Sequence, residues 1–139
     1  MKLSEVVGEV IRLDDTSRAY WDRELPKRHP HYPIIRAGED SAPAPPEDAQ
    51  IQALLKGLPD NQLYALILLT YVGRGDFSAD DLLHGYENIK EAFPSRDLAI
   101  AQLKQNTTLA EYLTDAMEEI RKRRIELDKL EIASTVAAS

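Results

Sequence analysis

Apolar side chains recur along this chain at intervals of three and four residues, and no window shows the strict alternation of a half-buried strand. Leu3, Val6, Val7, Val10 and Ile11 form the first stripe. Ser4 is placed to cap its amino end, and Asp14-Asp15 is the predicted stop. A second short helix is expected over Ser17 to Leu25, although Tyr20 and Trp21 set no clear stripe there. The pattern returns with Ile51, Leu54, Leu55 and Leu58, behind a proline at 46 suited to a first turn and the acids Glu47 and Asp48 suited to its dipole. Gly57 and Pro59 end that helix, and Asp60 is expected to cap the next. Residues 63–72 are apolar nearly all round, Thr70 excepted, which predicts a central buried helix.

Ala79, Leu82, Leu83, Tyr86, Ile89 and Phe93 give the best amphipathic match, opened by Ser78 with Asp81 as a capping-box variant and broken by Pro94. Ser95 is placed to cap a short helix through Leu103. Thr108 with Glu111 reads as another capping box, opening a long final helix with Leu109, Leu113, Ile120, Leu127 and Leu130 on or near one face. The expectation is an all-α fold: a compact bundle of about six helices around the central one at 63–72, with a long carboxyl-terminal helix. No internal repeat is visible.

Six of the eight prolines (Pro26, Pro30, Pro33, Pro43, Pro45 and Pro46) fall between 26 and 46. Proline fixes φ, lacks an amide donor and pushes its predecessor out of the helical region, so this stretch reads as an extended connector. The chain thereby divides into an amino-terminal helical segment (1–25), the connector (26–46), a helical core (47–132) and a frayed tail (133–139).

Composition narrows the functional classes. At 139 residues one domain is the default, and such a chain buries roughly two-thirds of its unfolded surface without disulfide or metal staples. Cysteine is absent, which removes disulfide frameworks and thiolate chemistry. With 24 acids against 17 bases the net charge is −7, a balance that repels phosphate on average and argues against nucleic acid as a partner. Glu5 and Glu9 interrupt the start, and the run at 63–72 is half a membrane span, so the expected location is cytoplasmic with no membrane contact.

One turn stands out. The segment Leu63 to Ser78 carries an apolar helix that ends in Tyr71-Val72-Gly73-Arg74-Gly75-Asp76 before a second helix. It resembles the signature of a bacterial family of unknown function in which such a helix ends in aromatic–aliphatic–Gly-Arg-Gly-Asp. The resemblance spans roughly Leu54 to Leu113 and implies an all-helical bacterial domain without implying an activity. Tyr71 stands where tryptophan is associated with the family. Read from the residues, Gly73 and Gly75 permit positive φ where a helix must stop sharply, while Arg74 and Asp76 complement the ends of two helices. The functional alternative is that Arg74 and Asp76, with Ser78 beside them, present a site for a partner or small anion.

Other constellations compete with plainer readings. Asp76, Ser78, Asp80, Leu83 and Glu87 match calcium-loop positions, but Asp81 stands where the loop needs glycine and belongs to a helical stripe. Asp80, His84, Glu87 and Glu91 line one helical face, which suits a metal or acid–base work and equally a solvated acidic surface. His29 and His31 alternate in the connector, as a surface pair or two metal ligands. Arg121, Lys122, Arg123 and Arg124 spread around a helix behind Glu118 and Glu119, which fits ion-paired surface better than a phosphate-binding face. Leu113, Ile120 and Leu127 repeat every seven residues, a self-association seam that Arg123 interrupts.

No nucleophile–base set, phosphate-cradling glycine loop or cofactor fingerprint is present in the sequence. The reading is a small helical protein-interaction or regulatory module, a homodimer or the partner of another protein, with no cofactor and no assigned catalytic residue. The alternatives are a metal-binding protein or metal-dependent enzyme using Asp80, His84 and Glu87, and nucleic-acid binding through 121–124.

Overall fold

The computed structural model describes residues 2–28, 45–105 and 108–129. The histidine pair His29 and His31, most of the connector, Leu130 and the tail lie outside them. The described residues hold six α-helices and no strand: α1 (Leu3–Arg28), α2 (Pro46–Gly57), α3 (Asp60–Arg74), α4 (Leu82–Ala92), α5 (Arg96–Gln105) and α6 (Leu109–Lys122). Short 3-10 turns stand at Ala79–Asp81 and Leu127–Lys129.

Every residue from Asn61 to Thr70 is buried, so α3 is the centre. It is covered by α6, α4 and α5, while α1 packs on α2 and α6. The Thr70 hydroxyl is satisfied inside the core by donating to the Leu66 carbonyl at 2.9 Å. Helix α4 runs back along α3: a Cβ at Gly85 would lie 2.7 Å from Leu68 Cδ1, and Tyr64 Oη donates to the Phe93 carbonyl at 2.6 Å. The amphipathic match holds at Ala79, Leu82, Tyr86 and Ile89 but fails at Leu83, which is 49% exposed.

Helix α1 does not stop at Asp14-Asp15, and no separate helix begins at Ser17. One helix continues to Arg28, past the point where the connector was expected to start. The residues around 14–17 include neither glycine nor proline, and Asp14 has another task. Its carboxylate accepts the Ala110 amide at 3.0 Å and so caps α6 from across the interface. The expected Thr108–Glu111 box is not formed, since Thr108 makes no side-chain cap bond.

The same device recurs. Ser4 does not cap α1; its amide and hydroxyl donate to the two Asp128 carboxylate oxygens at 2.8 and 2.6 Å. Those bonds, the hydroxyl's first, hold Asp128 below the ordinary carboxylate range, so its stabilisation is present above that range and is lost as pH falls through the lowered value. Asp48, in the first turn of α2, accepts from the Ser17 hydroxyl and from Trp21 Nε1 at 3.2 Å. Asp60 likewise is not a cap. Pro59 holds that position, and Asp60 pairs with Arg96, whose second nitrogen reaches the Lys56 carbonyl at 3.0 Å. Ser95 does cap, accepting the Asp97 amide at 3.2 Å.

The predicted long final helix is shorter. It ends at Lys122, where Arg124 adopts φ 58° and the Ile125 amide bonds the Ile120 carbonyl at 3.1 Å. This Schellman-type stop turns the chain so that Leu127 is buried and Ile125 packs against the core. Leu113, Ile120 and Leu127, expected as a seam between copies, are 0%, 3% and 6% exposed in the core of one chain.

Two stability tests follow from these contacts. Left-handed φ costs a non-glycine residue about 1 kcal/mol or more, so Arg124→Gly raises the denaturation midpoint by an amount worth roughly 1 kcal/mol; an unchanged midpoint contradicts this stop. Burial first, with help from Asp15, raises the Asp14 pKa against the pull of the Ala110 amide and Arg18. The folded chain holds that proton to higher pH than the unfolded chain, so this group's contribution declines as pH rises from the ordinary to the raised value. Asp14→Asn keeps an acceptor and stays within about 0.5 kcal/mol of wild type at neutral pH, whereas Asp14→Ala loses about 1 kcal/mol. Equal effects of the two changes on urea midpoints would refute the cap.

Candidate functional site

The Gly-Arg-Gly-Asp turn closes α3 by a Schellman motif. The Gly75 amide bonds the Val72 carbonyl at 3.0 Å and the Asp76 amide bonds the Tyr71 carbonyl at 2.9 Å, with Gly75 at φ 89°. Gly75 is the only positive-φ glycine among the described residues, so the expectation of two such glycines is corrected. Gly73 is still helical and has a different purpose. A Cβ there would lie 1.9 Å from the Tyr112 carbonyl oxygen and 2.6 Å from its carbon. The missing side chain lets the backbones of α3 and α6 touch.

Arg74 spans the same junction. Its guanidinium lies 5.1 Å from the Tyr71 ring centroid and 6.0 Å from that of Tyr112, and its Nε stands 3.3 Å from Asp76 Oδ2. Phe77 meets Tyr71 edge-on at 5.8 Å. The pair is not deeply enclosed: the Arg74 and Asp76 side chains are 37% and 49% exposed. Ser78 accepts the Asp80 amide at 3.1 Å and caps the 3-10 turn rather than α4 directly.

Two grooves flank α6. The first, about 360 Å³, runs between the turn and α6, with Arg74, Ser78, Asp115, Glu118, Glu119 and Arg123 on its walls. The second, about 350 Å³, lies between α1 and α6, with Asp15, Arg18, Thr108, Glu111, Thr114 and Asp115. Asp115 lines both. Bases in these walls are engaged: Arg18 stands 3.7 Å from Asp14, Arg74 pairs with Asp76, and Arg123 pairs with Asp80 and reaches Glu119 at 3.7 Å. Among the described residues, the side-chain carboxylates of Asp15, Glu111 and Asp115 take no hydrogen bond or ion pair. The surface thus offers unspent negative charge.

The other candidate residues are dispersed. Asp80 is held by Arg123, and His84 Nδ1 lies 3.3 Å from Asp81 rather than facing Glu87. No three histidine, aspartate or glutamate side chains among the described residues converge to hold a metal ion. Arg121 and Lys122 lie 3.6 and 3.7 Å from Glu118 and Glu119. Tyr112, Asp115 and Asp128 carry no mark in the sequence, and Asp14, expected to end a helix, caps another instead. The glycine at 73 hinted that a neighbour comes close, but nothing in the letters says which one.

These features define an all-α helical bundle in which Gly73 brings α3 against α6 and Arg74 stacks over their junction, and no helix of the described residues is long and apolar enough to cross a membrane. The chain belongs to the DUF3775 family, described as a protein of unknown function, whose model matches residues 48–121. That span runs from α2 into α6 and contains the whole turn. Neither a curated protein nor a solved structure matches the chain.

The two glycines are separable by mutation. Gly75→Ala costs about 1–2 kcal/mol through its left-handed φ. Gly73→Ala drives a methyl into backbone and costs about 3 kcal/mol or more. Chemical denaturation ranks them; a smaller loss for Gly73→Ala contradicts the helix contact.

Proposed function

We propose that this chain is a small helical protein-interaction module, bacterial and cytoplasmic, whose contact face is the pair of grooves meeting at Asp115 and whose partner presents positive charge. The observation that carries the reading is that Asp115 stands between two grooves with no partner for its carboxylate among the described residues, beside Glu111 and Asp15 in the same condition. An acidic cleft raises the encounter rate with a basic surface and disfavours acidic competitors. In this reading the Gly-Arg-Gly-Asp turn is scaffolding. Gly73 and Gly75 serve backbone geometry, and Arg74 spends its charge on Asp76 and two tyrosines, so the turn sets the position of α6 rather than gripping a ligand.

The cytoplasmic and bacterial assignments draw on the resemblance of the turn and on the acidic, cysteine-free composition. A partner other than a second copy is favoured, because the leucine seam that suited self-pairing is spent within one chain.

A photo-crosslinking residue placed at Glu111, inside the second groove, is expected to capture a defined partner in cells, and one at the exposed Leu98 on α5 is not. Asp115→Lys on the same chain is expected to cut the Glu111 adduct at least tenfold while leaving the melting temperature unchanged. Identical adduct patterns from both positions, or an adduct indifferent to the charge at 115, would remove the proposal.

A further inference from the structure

We draw no further inference here: the strongest candidate, the row of unpaired carboxylates Asp15, Glu111 and Asp115 in the groove between α1 and α6, belongs to the contact face already proposed, and no second observation in the structure marks a particular ligand on it.

Discussion

The arrangement depends on two backbones touching where Gly73 of α3 meets Tyr112 of α6. Helices separated by ordinary side chains lie about 8–10 Å apart, and a Cβ at position 73 would fall 1.9 Å from the Tyr112 carbonyl oxygen, so this seat is open to glycine alone. Because α3 is buried from Asn61 to Thr70 and α6 is its most extensive neighbour, the depth of this contact sets how the rest of the bundle closes. Arg74 then lies along the rings of Tyr71 and Tyr112, one from each helix, and covers the junction from outside. The two grooves lie on either side of the helix that this contact seats.

Helix ends are satisfied at a distance. Asp14 of α1 supplies the amino end of α6, and Asp128, beyond α6, supplies the start of α1. Each bond is worth about as much as a local cap, but a distant carboxylate also fixes where two elements meet. The family segment at 48–121 therefore does not stand alone in this chain. Leu3, Val6, Val7 and Val10 of α1 are almost completely buried in the common core, and Leu127 closes it from the other end.

Most of the fold was legible because hydrophobic spacing is a local signal. The stripes of α2, α3, α4 and α6 lie within single stretches of sequence, and the stop at Gly75 uses a left-handed φ that marks glycine. The misplaced caps share one cause. Ser4, Asp14, Asp60 and Thr108 are residue types that cap helices locally, yet three of the four bond to residues far along the chain, and the fourth is displaced by Asp14. The end of α6 was hidden because Arg124 takes a left-handed turn that sequence assigns to glycine or asparagine. At the candidate site, Gly73, Arg74, Gly75 and Asp76 stood out by type, whereas Asp115 was one acid among 24 and gained meaning only from the grooves on either side of it.

The contact between α3 and α6 is directly observable in solution. A nuclear Overhauser measurement on the full chain reads the proximity of the Gly73 α-protons to the backbone protons of Tyr112. A strong cross-peak between them, persisting until the whole chain unfolds, is the expected result. Its absence in an otherwise folded, helical protein would mean that α3 and α6 do not touch at Gly73 and that the turn has no helix to position.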